Sequence, residues 1–373
     1  MGFDESQIHP ALRDRYPIAA LPKPHSLLVR MDITNKCNLD CVQCTLAMNR
    51  NALGESPADM PLEVFARIAD QLFPYAELVQ LSCEAEPTMH QRFLEILGIL
   101  GQHRATAFAM TTNGTRLPER TLRAIFDCNL GGLIISIDGA TPQTFQKIRK
   151  KGHFDRVVEA IQRVNQIKAE LGRGRDDYPL LMINYTLMRS TLDELPAMVD
   201  LCIEWKVHRL TLQHLYALEL TGLHAESLIH EQARSDAIVR QCKARCEGHG
   251  ILTTFPVLFD PEPVPELPVF EHPASEPALF CYAPWRMMRI KWNGEVHPCD
   301  LWGQGGIGDF RTDSFEQIWT APDYESLRWD HVRRLPTHPK CKSCTMVTTD
   351  NLEGKAKKTP LVLTVESLGG LPP

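Results

Sequence analysis

From Leu27 onward the chain alternates short apolar runs with longer stretches in which apolar residues recur at helical spacing. The short runs are LLVRMDIT (27–34), LVQLSC (78–83), AFAMTTN (107–113), GLIISID (132–138), LLMINYTLM (180–188) and HRLTLQH (208–214), and each reads as a strand. Between them, stretches such as PLEVFARIADQLF and FDRVVEAIQRVNQIKAEL read as amphipathic helices. Six strand–helix repeats predict an α/β fold with a parallel sheet, and at this length a partial (β/α)6 barrel of the TIM type. The periodicity is lost over 253–280, where proline recurs, so this segment reads as a linker. Beyond it, RMMRIKWNGEVHPC (286–299) predicts a β-hairpin turning at Asn293-Gly294, with helices around SFEQIWTAP and YESLRWDHVRR. The expected organisation is an arm over 1–26, a barrel over 27–252, the linker, a small domain over 281–346 and a tail over 347–373.

Composition narrows the function classes. The 373 residues are 43% hydrophobic and 23% charged, with a net charge of −6, as in an ordinary globular enzyme. That balance offers no basic face for nucleic acid and no polybasic membrane anchor. No apolar run reaches membrane-spanning length, and the first residues lack the pattern of an export signal. Twelve cysteines in such a chain point to free thiols and metal ligands in a reducing cytoplasm rather than to disulfides.

Three of those cysteines crowd into CNLDCVQC, where Cys37, Cys41 and Cys44 are spaced C-x3-C-x2-C directly after the first strand. In a parallel barrel that loop opens at the C-terminal mouth, where active sites sit. Three thiolates on a short loop suit three irons of a [4Fe–4S] cube, leaving the fourth open to a small chelating molecule. Zinc with a water is the rival, but three thiols without a nearby histidine fit a catalytic zinc poorly.

The motif resembles that of the radical S-adenosylmethionine (SAM) enzymes. The resemblance implies a [4Fe–4S] cluster with an open iron site, SAM chelated there, and its reductive cleavage to a 5′-deoxyadenosyl radical that abstracts hydrogen. The family usually has an aromatic residue where this chain has Gln43. LSCEAEP (81–87) resembles the family's glycine-rich acidic motif, with Cys83 and Ala85 in place of glycines and Glu86 as the implied partner of the SAM ammonium. The implied cofactor contacts further include Thr112 and Asn113 in TTNG, Ser136 and Asp138 on the ribose side, and Arg149 against the SAM carboxylate. An external one-electron donor such as flavodoxin or ferredoxin is implied as well.

Cys281, Cys299, Cys341 and Cys344 form a second set, spaced C-x12-G-x4-C and C-x2-C. Spacing alone leaves structural zinc open. Beside the first motif, the pattern resembles the SPASM/Twitch extension of radical SAM enzymes. No cysteine follows Cys344, which implies the shorter Twitch form with one auxiliary [4Fe–4S] cluster serving electron transfer. The resemblance spans roughly residues 27 to 346.

Cys128 and Cys202 read as small buried hydrophobes, Cys242 and Cys246 as core or surface thiols rather than the metal pair their one-turn spacing could suggest, and Cys83 as a candidate hydrogen-atom donor. His214, Tyr216 and Glu219 after the sixth strand are candidate catalytic acid–base groups, and His90 and Arg189 are further polar candidates near the mouth. The layout is most similar to aminocyclitol and sugar dehydrogenases and epimerases of the 2-deoxy-scyllo-inosamine dehydrogenase type, which implies a small polyol substrate. A maturase acting on a peptide or protein is the enzymatic alternative, and a zinc-stabilised binding protein the non-catalytic one.

Overall fold

A computed structural model describes residues 16–48, 56–215, 221–256, 258–260, 281–303, 305–333, 337–342 and 344. The six expected strands are present as β1 (Leu27–Met31), β2 (Ala76–Leu81), β3 (Ala107–Thr112), β4 (Gly132–Ser136), β5 (Leu180–Leu187) and β6 (Arg209–His214). Helices α1 (Leu62–Leu72), α2 (Phe93–Leu100), α3 (Glu119–Asp127), α4 (Pro142–Ile148), α5 (Phe154–Glu170), α6 (Leu195–Glu204) and α7 (Gln232–Gly248) connect or follow them. Neighbouring strands from β1 to β6 pair in parallel, as right-handed strand–helix repeats require. The partial barrel read from the sequence is the observed architecture.

Alternation along the strands sorts side chains onto two faces. Outward residues such as Val29, Val79, Phe108, Leu133 and Ile183 join the main core with Phe65, Ile68 and Leu72 of α1 and Ile125 of α3. Inward residues Leu28, Leu78, Ala109, Ile134, Met182 and Met287 form a separate apolar floor. One pleat higher on the inner face stand Arg30, Gln80, Thr111, Ser136, Asn184 and Thr211, where Gln80 Nε2 donates to Thr111 Oγ1 at 3.0 Å. The concave side is thus sealed below and polar above, which places chemistry at the C-terminal ends of the strands.

Both edges of the barrel carry more sheet than the pattern foretold. A short strand β7 (Leu252–Thr254) pairs with β6, so Thr253 and Thr254 belong to the sheet and not to the expected linker. At the other edge, after α8 (Ala283–Arg286), β8 (Met287–Ile290) pairs in parallel with β1. It then turns into β9 (Glu295–His297), followed by β10 (Gly308–Asp309), to complete one ten-stranded sheet ordered β10-β9-β8-β1-β2-β3-β4-β5-β6-β7. The Asn293-Gly294 turn lies where expected. Gly294 has φ of 87°, and a Cβ there would stand 3.0 Å from Asp309 Oδ1. Because β8 covers the backbone edge of β1, the small C-terminal domain is continuous with the barrel rather than appended to it.

Helices α9 (Phe315–Trp319) and α10 (Pro322–Val332) confirm the two expected helical segments, and Ser314 with Gln317 closes α9 in a capping box. They pack on the N-terminal arm. Trp285 Nε1 donates to Pro17 O at 2.8 Å and Trp319 Nε1 to Ala20 O at 2.9 Å. Most of the linker and the tail lie outside the described residues.

Candidate functional site

The CNLDCVQC loop is braced from three sides. A two-residue antiparallel ladder pairs Asp40–Cys41 with Arg149–Lys150, and Val42 N donates to Ile148 O at 2.9 Å. Asn113 Nδ2 donates to Asn38 Oδ1 at 3.0 Å, and Asn38 Nδ2 donates to Thr115 Oγ1 at 2.9 Å. Gln43, in the place of the family's aromatic residue, donates from Nε2 to Asp138 Oδ2 at 2.6 Å. Cys37, Cys41 and Cys44 are all half-buried, and burial pushes the Cys41 thiol up to about 12 despite the pull of Arg149. Asn113 Nδ2 also stands 4.0 Å from Cys37 Sγ.

The residues expected to touch SAM gather around this loop, but several spend their polar atoms on the chain itself. Glu86, 2% exposed, accepts from Thr112 Oγ1 at 2.8 Å, Asn113 N at 2.7 Å, and both Thr88 N and Thr88 Oγ1. Its backbone N–H reaches Lys36 O at 2.9 Å, one residue before Cys37. Burial raises its pKa, opposed by these hydrogen bonds. Glu86 therefore ties the ends of β2 and β3 to the cysteine loop. Asp138, fully buried, pairs with Arg149 Nη2 at 2.6 Å and accepts Thr186 N at 2.7 Å. These two side chains form one buried unit behind Cys41. Ser136, half-buried on the inner face, stands beside Asn184 in the sheet register.

A second knot joins the barrel to the C-terminal hairpin. Asp32, just past β1, accepts backbone N–H groups of Cys83, Glu84 and Ala85 at 2.9, 3.1 and 3.3 Å, and it pairs with Arg289 of β8. Burial alone raises Asp32, but Arg289 and the three N–H groups outweigh it and hold the carboxyl below its ordinary range. Arg30 of β1 pairs with Asp300, beside Cys299. The Cys83 thiol lies close to these charges, and burial pushes it up to about 11 against the pull of Arg30 and Arg289.

The four C-terminal cysteines line one pocket with Pro284, Trp302, Leu327 and His331 among its walls. Burial raises Cys281 and Cys341 to about 11 and Cys299 to about 12. Metal binding displaces such thiol protons. Four thiols around one pocket are a donor set that a four-ligand metal site or an iron–sulfur cluster can use. His331, which the sequence reading passed over, places Nε2 3.8 Å from Cys341 Sγ. The only signal for it was its position on the helix just before the C-x2-C pair.

Of the acid–base candidates, His214 ends β6 with its ring tilted against Phe259, centroids 5.1 Å apart. Tyr216 and Glu219 lie outside the described residues. His90 is structural: its Nδ1 accepts Arg92 N at 3.0 Å, so Nε2 carries the proton and donates to Met60 O at 2.9 Å. Arg189, two residues past the end of β5, is more than half exposed and pairs with Glu231 at 2.6 Å. Cys128, Cys202, Cys242 and Cys246 are buried, as small core residues are.

Residues 31–202 match the sequence model of the radical SAM superfamily, and residues 281–345 match that of an iron–sulfur cluster-binding domain, SPASM. The chain is 22% identical over 335 residues to the tungsten-containing aldehyde ferredoxin oxidoreductase cofactor-modifying protein of Pyrococcus furiosus, covering 85% of this chain and 86% of that protein. It is also 22% identical over 328 residues to the antilisterial bacteriocin subtilosin biosynthesis protein AlbA of Bacillus subtilis, covering 86% and 65%. In fold it is similar to Streptococcus suis SuiB bound to the precursor peptide SuiA, with a TM-score of 0.65, 18% identity, and coverage of 85% and 69%.

Proposed function

Because the chain carries a radical SAM domain followed by an iron–sulfur cluster-binding SPASM domain, we propose that it is a maturase that modifies a peptide or protein by hydrogen abstraction. With the first domain come a [4Fe–4S] cluster and SAM, and with the second an auxiliary iron–sulfur cluster. When bound, the first cluster and SAM supply a 5′-deoxyadenosyl radical. Cys37, Cys41 and Cys44 hold that cluster in this reading, and Cys281, Cys299, Cys341 and Cys344 hold the auxiliary one.

The observation that carries the reading is the thiol trio at the mouth of a concave face whose strands end in polar, half-buried side chains. Ser136, Asn184, Thr211 and Gln213 present hydrogen-bonding groups across three adjacent strands. Such a row suits an extended backbone, with its repeated donors and acceptors, better than a compact polyol. The names of the relatives point the same way, one to bacteriocin biosynthesis and one to cofactor modification of an enzyme. The small polyol expected from the sequence has no such support.

Glu86 and the Asp138–Arg149 pair act in this reading by holding the cysteine loop and its surroundings rigid. Arg149 keeps a buried Nε without a hydrogen-bond partner, and Gln43 a buried Oε1, so both retain a polar atom for the cofactor. His214 alternates with Thr211 and Gln213 along β6 and sets its ring against Phe259, so it stands outside the polar row. Twelve free cysteines suit a reducing cytoplasm, and a flavodoxin or ferredoxin would supply the electron.

The test is incubation of anaerobically reconstituted enzyme with SAM, reductant and a short cysteine- or glycine-rich peptide encoded beside its gene, in deuterated water. A SAM-dependent loss of about two daltons from the peptide, or deuterium fixed on carbon, is the expected result. Turnover of a polyol panel with the peptide untouched would return the reading to a small-molecule dehydrogenase or epimerase.

A further inference from the structure

Helix α10 carries Arg328 and His331 three residues apart, on the side that faces the four-thiol pocket and the core of the C-terminal domain. Arg328 is 0% exposed. Its guanidinium lies 4.1 Å from the ring centres of both Trp319 and Tyr324. It donates to Ile18 O at 2.7 Å, Trp319 O at 2.8 Å and Pro284 O at 3.3 Å, while Nη2 has no hydrogen-bond partner. Among the described residues the carboxylate acting on it is that of Glu325, three residues earlier on the same helix, and no salt bridge joins the two. A buried cation without a salt bridge costs several kcal/mol unless another negative charge stands near.

Glu325 supplies part of that charge, and a cluster in the neighbouring pocket would add to it. Pro284, which Arg328 touches, and Leu327, its neighbour in the chain, both line the pocket with the cysteines. Four thiolates leave an oxidised [4Fe–4S] cluster with a net negative charge, and reduction makes it one unit more negative. A buried cation behind the wall, and an N–H donor on one of the sulfurs, stabilise the reduced form more than the oxidised form. His331 Nε2, 3.8 Å from Cys341 Sγ, is placed to be that donor.

We propose that Arg328 and His331 are positioning residues that set the potential of the auxiliary cluster, raising it so that the cluster accepts an electron readily. In the reading above, the substrate radical left after hydrogen abstraction gives up one electron and one proton. The cluster takes the electron, and the proton leaves to solvent. The inference rests on assigning the pocket to the auxiliary cluster, but it is tested without any substrate, so failure of the peptide reading leaves it standing.

The experiment is a potentiometric titration of the full-length reconstituted protein followed by electron paramagnetic resonance, with the N-terminal cluster identified by the change in its signal on adding SAM. Arg328→Gln and His331→Phe should each move the auxiliary midpoint to more negative potential. The expected size is about a tenfold drop in the reduced-to-oxidised ratio at fixed poise, or ~59 mV for one electron. Arg328→Lys and His331→Gln, which retain a cation and an N–H donor, should recover most of the shift. Unchanged midpoints in Arg328→Gln and His331→Phe overturn the proposal. So does loss of the auxiliary cluster's iron in all four variants, which would make the pair purely structural.

Discussion

The two thiol sets occupy opposite kinds of ground. Cys37, Cys41 and Cys44 sit on a loop held by amides, carboxylates and a two-residue ladder, at the rim of a polar concave face. Cys281, Cys299, Cys341 and Cys344 share a pocket walled by proline, leucine and tryptophan, with a buried cation behind it. A loop braced by hydrogen bonds holds its ligands in place while leaving one side open to a cofactor and a substrate. In the proposed reading, the mostly apolar pocket holds a cluster with four protein ligands and no iron left open to cofactor or substrate, which suits it to electron exchange. One fold supplies both because parallel strands end in loops at the mouth, while the added hairpin brings its own apolar cover.

The contrast breaks most visibly if ligands are removed from either side. Replacing Cys37, Cys41 and Cys44 together with alanine should abolish reductive SAM cleavage and remove about four of an expected eight irons. Cys281→Ala should leave SAM cleavage in place yet stop product formation. The readouts are 5′-deoxyadenosine and peptide product, measured on the same anaerobic preparations. Retained 5′-deoxyadenosine production in the triple variant would undo the open-site assignment. Full product formation in Cys281→Ala would undo the electron-transfer role of the closed one.

A smaller effect tests how the two regions are joined. Asp32 at the end of β1 pairs with Arg289 of β8 and gathers three N–H groups of the loop leading to Glu86. Asp32→Asn leaves the buried Arg289 with Glu84 at 3.4 Å and Asp300 at 4.0 Å as its remaining acids, so the cost falls at or below about 3 kcal/mol, the lower end for breaking a buried pair. Because the folded carboxyl titrates below its unfolded value of about 3.9, the ionised form contributes stability above that value. The contribution is lost as pH falls through the folded pKa. The gap in melting temperature between the wild type and Asp32→Asn should therefore be steady near neutrality and narrow below about pH 4. A gap that widens on acidification would show that Asp32 is not held as the anion.

How much of this was legible follows the range of each interaction. The six barrel strands announced themselves because each is a continuous apolar run bounded by helical periodicity. Strand β7 did not, being three residues long with Leu252 40% exposed, too short and too open to show a pattern. The hairpin was visible in its Asn-Gly turn, but its pairing with β1 spans more than two hundred residues and leaves no local trace. The thiol motifs were legible by spacing. Asp138 and Arg149 were singled out by resemblance as contacts to the SAM ribose and carboxylate, yet nothing in the sequence says that they pair with each other. Arg328 and His331 were missed for the same reason: an arginine and a histidine on a mixed helix look like a solvated face until the helix is packed.

The smallest expected change sharpens the distinction between ligand and core cysteines. Cys242 and Cys246 lie one turn apart on α7, a spacing that by itself suggests a metal. Both are buried, Cys242 at 1% and Cys246 at 0% exposure, in the same core cluster as Val239 and Val199. Burial pushes their thiols up to about 12 and about 11, so each packs as a neutral, small hydrophobe. Cys242→Ala removes one buried sulfur and leaves a cavity no larger than that atom, costing about 1 kcal/mol by the transfer and cavity terms that govern core truncations. Iron content, the spectra of both clusters and the yield of 5′-deoxyadenosine should match the wild type, with the melting temperature lowered by only a few degrees. Loss of iron in this variant would place a ligand on α7, and the proposed division of the twelve cysteines into seven ligands and five others would have to be redrawn.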